Sequence, residues 1–316
     1  MFLNVLQPPS ISLFSSTGSD PLQIWSVNID ITASSGSSVI QLLRDSDTGT
    51  YMYGTSNNSR PPHERDSITA SLIAPPALVE LGGADASSRN TAIDNEELGH
   101  NTIHRDRGYE LDQTVLHIQS PKLPTTYIQC PPGSFTPGTG RTPPLGLKHP
   151  WIHLQVRNLG REWSFEVGIV DSAGRTGVLR MSTFQKHPKL KLNQTGENSF
   201  PLLHLPLSFP SRSSRPLTAW TTINLHLPNF VPYFSHSNLL QEPDGQGNPS
   251  GHSTSSPSVS QSWERAGHPG TAIPAGAYSH IAFIRVYATC RLRRIWLDGS
   301  GPDQTFPSEF DLFSAD

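Results

Sequence analysis

YSHIAFIRVYATCRLRRIWLD, residues 278–298, is the stretch of this chain that says most about its fold. Successive side chains of a β-strand lie on opposite faces, and here both faces are mostly apolar. The pattern predicts a strand whose two faces are both covered, as in a sheet packed against a second sheet. One face would carry Ile281, Phe283, Arg285 and Tyr287, and the other Ala282, Ile284, Val286 and Ala288.

Basic residues are concentrated at the end of the same stretch. Arg291, Arg293 and Arg294 lie within four positions, and Arg285 precedes them. Unpaired charge is costly to bury, so these side chains need solvent, carboxylate partners or an anionic surface. The planar guanidinium group suits surfaces rich in carboxylates. We therefore predict that the four arginines form a partner-binding group.

Acidic residues nearby offer a second interpretation of these arginines. Asp298, Glu309 and Asp311 follow them in the chain and would form surface ion pairs with them. Each such pair contributes at most about 1 kcal/mol to stability. The residues alone leave both interpretations open.

Short strand-like segments recur along the whole chain. The 316 residues are only 34% hydrophobic and 16% charged, and they include 29 prolines and 25 glycines. That composition is typical of a β-protein with long polar loops. We predict an all-β fold, an antiparallel β-sandwich of jelly-roll type. The predicted strands lie within 21–31, 114–119, 125–130, 151–157, 163–169, 177–184 and 219–227.

Two polar stretches interrupt this pattern, at 32–107 and 236–276. Segments so poor in apolar residues bury too little surface to offset the entropy of ordering the chain. We predict a single domain over residues 1–316 in which both stretches are disordered loop insertions. The first contains two apolar runs, SVIQLL at 38–43 and SLIAPPALVEL at 71–81.

The formal charge of −3 is unevenly distributed. Residues 1–111 hold 6 Lys and Arg against 13 Asp and Glu, a charge of −7. Residues 112–235 hold 12 against 5, which gives +7, and the remainder hold 5 against 8, which gives −3. The pattern is not that of a nucleic-acid-binding protein, but it permits a basic face that would suit an acidic partner.

Catalytic and metal-binding motifs find no support. His149 and His153 are four positions apart, but on a strand they would lie about 13 Å from each other. The sequence contains no G-x-S-x-G motif and no glycine pattern of a nucleotide-binding loop. We therefore expect no enzymatic activity, no cofactor and no metal.

The two cysteines, Cys130 and Cys290, each end a predicted strand. Two cysteines give neither a disulfide framework nor a metal-binding spacing, so they are either reduced thiols or a functional pair. The first residues, MFLNVLQPPSISLF, lack the basic region and unbroken apolar run of a signal peptide. No stretch approaches the roughly 18 apolar residues of a membrane helix, which predicts an intracellular protein without a membrane partner.

Tryptophans offer one alternative function. Five of them lie in or beside predicted strands, where they would form either core packing or a platform for sugars. A carbohydrate-binding module is therefore a minor alternative. These residues are Trp25, Trp151, Trp163, Trp220 and Trp296.

Taken together, the strand segments resemble the cilia- and flagella-associated protein 20 family from one end of the chain to the other. Both cysteines lie within matching motifs. The motifs are MF at the start, GSDPLQIW at 18–25, VLHIQ with TTYIQCP at 115–131, LGLKHPW at 145–151, VRNLGREWSFEVGIVD at 156–171, RMSTFQ at 180–185, AWTTINLHLPNF at 219–230, RVYATCRLRRIWL at 285–297 and FPSEFDLF at 306–313.

The resemblance implies a non-enzymatic structural protein of the cilium or flagellum. Its partners would be the tubulin lattice at the inner junction of axonemal doublet microtubules, neighbouring axonemal proteins, or the basal body. The family is also linked to nuclear complexes, so the alternative is a nuclear scaffold in transcription or RNA processing. Of the basic run that members carry after the EVxxxD strand, only Arg175 and Arg180 are recognisable.

Overall fold

The computed structural model of the protein describes residues 1–33, 37–46, 111–133, 143–191, 200–210, 219–239, 273–302 and 307–312. Regular structure within these ranges consists of thirteen β-strands and four short 3₁₀ helices. The predicted all-β sandwich is confirmed. No helix of these ranges is long and apolar enough to cross a membrane.

One sheet has six strands, all paired antiparallel. They are β1 (Ser10–Ser15), β3 (Val39–Arg44), β4 (Thr114–Gln119), β6 (Trp151–Asn158), β11 (Trp220–His226) and β13 (Cys290–Asp298). The order is β11-β6-β13-β4-β3, and β1 pairs with β13 beside β4. The long strand β13 therefore lies at the centre of this sheet.

The second sheet has seven strands in the order β2-β5-β12-β7-β8-β10-β9. β10 lies between β8 and β9. It runs parallel to β8 and antiparallel to β9. This parallel pair departs from the antiparallel pattern that the sequence predicts. The strands are β2 (Ser26–Asn28), β5 (Tyr127–Cys130), β7 (Ser164–Asp171), β8 (Thr176–Ser182), β9 (Lys189–Lys191), β10 (Leu202–Pro206) and β12 (Tyr278–Tyr287).

Residues 278–298 divide between the two sheets, because β12 belongs to one and β13 to the other. The inner face of β12 lies in the core between the sheets, whereas on its outer face Phe283 and Tyr287 are buried and Arg285 is half-buried. The six-stranded sheet therefore covers one face of the strand. A bulge between Ile281 and Phe283 interrupts the alternation, however. Ile281 consequently faces the core between the sheets, while Ala282 joins Phe283 in a small cluster on the outer face. The predicted faces of Ile281 and Ala282 are therefore wrong.

A single large apolar cluster fills the space between the sheets. Two tryptophans in it satisfy their buried N–H groups with backbone oxygens, as buried polar groups require. Trp163 Nε1 donates to the Tyr287 oxygen at 3.1 Å, and Trp25 Nε1 donates to the Leu13 oxygen at 3.0 Å. The first bond links the residue before β7 to the end of β12, and the second links β1 to the residue before β2 in the other sheet.

The first insertion was predicted to begin at residue 32, but a strand of the sandwich lies within the predicted range 32–107. Residues 39–44 form β3, which pairs with β4 along its whole length. Leu43 packs against a cluster of Leu111, Val115 and Trp220, which gives this strand an apolar contact of its own. Most of the remainder, residues 47–110, lies outside the described ranges.

Two further predicted boundaries shift. The strand predicted at 21–31 is limited to residues 26–28. The second insertion, 236–276, ends earlier than predicted because Ile273 is buried in the main core. Residues 240–272 lie outside the described ranges.

Candidate partner-binding surface

The four predicted arginines divide between the outer faces of the two sheets. Arg291, Arg293 and Arg294 lie on β13, where they are only 3%, 4% and 6% exposed. Arg285 lies on β12 in the other sheet. The expectation that all four form one open surface is therefore corrected. Direct contact of any of them with a partner stays a prediction.

Asp45 explains how Arg291 is buried. Its Oδ1 accepts from Arg291 Nη1 at 2.7 Å and from Arg157 Nη1 at 2.9 Å. Its Oδ2 accepts from Trp220 Nε1 at 2.7 Å and from the Leu111 amide at 2.9 Å. Burial would raise the pKa of Asp45, but the two guanidinium groups and the hydrogen bonds outweigh it and lower the pKa. Asp45 stays ionised as a structural anion.

Arg293 makes its contacts with neutral groups. It donates to Gln113 Oε1 at 2.7 Å, to Gln155 Oε1 at 2.5 Å and to the backbone oxygen of Glu309 at 2.7 Å. Burial and the charge of neighbouring Arg294 lower its pKa to about 10. The Nε atom and both Nη atoms of Arg293 thus donate within the protein.

Residues 307–312, which we call the 307–312 segment, lie over this face. The Phe310 ring centroid is 4.1 Å from the Arg294 guanidinium carbon and 5.1 Å from the Trp296 ring centroid. Arg294 Nη1 is 3.3 Å from Glu309 Oε1, which is the ion pair predicted as the alternative. Asp298 is instead 2.8 Å from His153 Nε2.

Arg285 belongs to a line of polar side chains that crosses six strands of the seven-stranded sheet, which we call the polar row. Each member lies directly opposite the next in the strand pairing, so all share one face. This face is the outer one, because the core-facing residues of the same strands alternate with it. The members are Gln129, Arg285, Glu166, Arg180, His204 and Lys189.

Glu166 holds the centre of the polar row. Its Oε2 accepts from Arg285 Nη1 and from the Tyr287 hydroxyl, both at 3.1 Å. Its Oε1 accepts from Arg180 Nε at 2.8 Å. The Glu166 side chain is 4% exposed, whereas those of Arg285 and Arg180 are 24% and 31% exposed. One buried carboxylate thus holds two arginines at a solvent-facing surface.

Aromatic rings position Arg285 further. Its guanidinium carbon lies 4.8 Å from the centroid of Tyr127 and 5.5 Å from that of Phe283. Gln129 Oε1 accepts from Arg285 Nε at 2.9 Å. Gly168, opposite Phe283, leaves room for that ring, because a Cβ there would lie 2.6 Å from it. The side chain of Arg285 is therefore fixed before any partner arrives.

The far end of the polar row is basic. Arg180, Lys189 and Lys191, which we call the basic edge, share the outer face of β8 and β9. His204 lies among them at 4% exposure, with its Nε2 2.6 Å from Ser182 Oγ. Burial and the three cations lower the pKa of His204 to about 4. The histidine therefore stays neutral in an electropositive environment.

The basic edge was not predicted from the sequence, in which only Arg175 and Arg180 resemble a basic run after the EVxxxD strand. The charge of +7 on residues 112–235 was a signal, and so was KHPKLK at 186–191. β9 is three residues long, too short for an alternating pattern to be visible. Only the strand order shows that its lysines lie on the same face as Arg180, with β10 between them.

Other candidate sites are internal. Cys130 and Cys290 are fully buried, free, and located in opposite sheets. Burial raises the pKa of Cys130 to about 12 and raises that of Cys290 as well, so neither is a ready nucleophile. His149 and His153 bond to different partners. The described ranges hold no group of three or more His, Cys, Asp or Glu that could bind a metal.

The tryptophans do not form a sugar-binding platform. Trp25, Trp163, Trp220 and Trp296 are at most 5% exposed, and they are spread over both sheets. Trp151 is half-buried and contacts the His226 ring, with centroids 4.7 Å apart. The carbohydrate-binding alternative therefore loses the observation that suggested it.

Known proteins resemble this chain at low identity over most of its length. The family model of the CFA20 domain matches residues 85–237. Cilia- and flagella-associated protein 20 of Chlamydomonas reinhardtii is 22% identical over 227 residues, 72% of this chain and 87% of that protein. The protein of the same name from Caenorhabditis elegans is 22% identical over 237 residues, 75% and 84% of the two chains. The resemblance predicted from the strand motifs is confirmed.

Proposed function

We propose that the chain is a divergent member of the cilia- and flagella-associated protein 20 family and a non-enzymatic structural protein of cilia or flagella. The names of its relatives support the association with these organelles. The finer part of the proposal is that the protein binds the microtubule wall of the axoneme, at the doublet inner junction or at the basal body.

The basic edge is the observation that carries the microtubule part of this proposal. Arg180, Lys189 and Lys191 lie on one sheet face, and Glu166 is the carboxylate that pairs with Arg180 there. The excess of cations favours a surface rich in carboxylates, such as that of tubulin. Complementary charge raises the association rate and fixes the orientation of the partner.

The buried carboxylates and His153 bond to groups on neighbouring strands, which supports a structural role. Asp45 and Glu166 are saturated by hydrogen bonds and ion pairs with neighbouring strands. His153 is enclosed between Asn224 and Asp298. Groups held in this way join neighbouring strands of the sandwich, which fits a structural role.

The direct test of this function is to tag the protein at its own locus and localise it. We expect signal along the axoneme or at the basal body, and tubulin among the proteins that purify with it. A nuclear signal without any ciliary signal would overturn the proposal and favour the scaffold alternative. Absence of any cilium or flagellum in the source organism would also overturn it.

A further inference from the structure

The 307–312 segment packs on the outer face of β13 as a bound peptide would. Phe310 and Leu312 are half-buried, whereas the other four residues are exposed. Phe310 contacts Arg294 and Trp296, and Leu312 packs against the cluster of Leu111, Val115 and Trp220. Two apolar anchors spaced two positions apart therefore hold an otherwise exposed segment.

The groove beneath the segment is formed by side chains of β6 and β13, chiefly Gln155, Arg293, Arg294 and Trp296. Arg293 Nη2 donates to the Glu309 oxygen at 2.7 Å, and Gln155 Nε2 donates to the Phe310 oxygen at 2.5 Å. Bonds to backbone oxygens do not depend on which residues a peptide carries. The side chains that distinguish one peptide from another are those at positions 309, 310 and 312.

Charge further defines what the groove accepts. Asp45 pairs with Arg157 and Arg291. Within the described ranges, the carboxylate that pairs with Arg294 is Glu309, supplied by the segment itself. Without the segment, Arg293 and Arg294 would border the groove with no matching carboxylate from the sheet. The groove is therefore complementary to an acidic peptide.

We propose that this groove is a peptide-binding site that the 307–312 segment fills in cis. In trans it takes an acidic peptide that has an aromatic residue in the place of Phe310 and an apolar residue two positions later. The inference goes beyond the microtubule proposal and does not depend on it, since the groove lies on the other sheet from the basic edge.

A tethered segment competes strongly with a free peptide, because tethering gives it an effective concentration on the order of 1 mM. The test therefore uses full-length variants that weaken the cis contact. Phe310→Ala removes the aromatic anchor. Glu309→Lys reverses the charge opposite Arg294 at a side chain that is 66% exposed, so it is safe for folding. The probe is a fluorescein-labelled peptide of residues 307–313, PSEFDLF.

We expect fluorescence anisotropy to show saturable binding of this peptide to both variants, at least about tenfold tighter than to the unaltered chain. A matched peptide with alanine in place of phenylalanine should not bind. Adding Arg294→Gln to the Glu309→Lys chain should abolish binding. Equal binding to the unaltered chain and both variants, or equal binding of the two peptides, would overturn the proposal.

Discussion

Asp45 and Arg291 are 246 positions apart in the chain and meet at 2.7 Å on the outer face of the six-stranded sheet. One comes from a stretch that the sequence predicts to be an insertion, and the other from the predicted partner-binding group. Their contact, together with Arg157, turns part of that group into internal structure. The basic edge, which we propose as the microtubule-binding surface, lies on the opposite sheet.

Replacing Asp45 by asparagine should destabilise the fold by about 3–5 kcal/mol, because Arg157 and Arg291 would be left partly buried without their carboxylate. Urea denaturation followed by tryptophan fluorescence measures the loss. Asp112→Asn is the matched control. It breaks a pair with Arg44 at 3.9 Å in which both side chains are more than 70% exposed, so we expect a change below about 1 kcal/mol. Equal losses for both variants would contradict the structural role of Asp45.

Glu166→Gln tests the centre of the polar row. The change removes the carboxylate shared by Arg180 and Arg285, both of which keep access to water. We expect a smaller loss of about 1–3 kcal/mol in the free energy of unfolding. Microtubule binding should not weaken, because the surface gains positive charge. Loss of binding in a variant that remains folded would instead identify Glu166 as a contact residue.

The stability of the protein should fall as the pH drops from about 6.5 to about 4. His117 and His204 have pKa values lowered to about 4 from the ordinary value of 6.5, first of all by burial. The unfolded chain therefore binds protons in this window that the folded chain does not bind. The stability that depends on these two histidines being neutral is fully present above pH 6.5. It is completely lost below about pH 4.

Melting temperatures at pH 7 and pH 5 measure this effect, which we expect to be on the order of 1 kcal/mol for His204 after allowance for solvent screening. His204→Gln removes one titrating group and should flatten the pH dependence accordingly. An unchanged pH dependence in this variant would show that His204 is already protonated in the folded protein at pH 5.

The thiols of Cys130 and Cys290 should be unreactive in the folded protein. Both are fully buried, and burial raises both pKa values well above the pH of a standard thiol assay. Ellman's reagent at pH 8 should report no thiol before denaturation and two thiols after it. Rapid labelling of either cysteine without denaturant would contradict the described core.

Alternation in the sequence was sufficient to predict most of the strands and the two-sheet class, because a two-residue period is a local property, but it did not predict β1, β3, β9 or β10. The bulge between Ile281 and Phe283 could not be predicted in that way, since it breaks the period that the prediction assumes. The partnership of Asp45 with Arg291 depends on a strand order that no local pattern encodes. For the same reason the four arginines seemed to form one group although they lie in two sheets.

The basic edge also depends on the strand order, which a local sequence pattern does not encode. β10 pairs with both β8 and β9, and this pairing brings Lys189 and Lys191 to the same sheet face as Arg180, two strands away. The charge imbalance indicated that a basic face was possible, but not which residues would form it. Arg285 shares a face with Phe283 and Tyr287, as the alternation predicts, but its ion pair with Glu166 was not predicted. Contact of Arg285 with a partner stays a prediction.

Co-sedimentation with taxol-stabilised microtubules tests the central claim most directly. The test variant is Lys189→Glu with Lys191→Glu on the basic edge. The control is Arg44→Glu with Lys148→Glu, which makes the same change in net charge at exposed positions away from that edge. We predict that the test variant binds at least about tenfold more weakly than the unaltered protein, while the control binds nearly as well. Equal binding by the test variant and the control would contradict the assignment of the basic edge as the microtubule-binding surface.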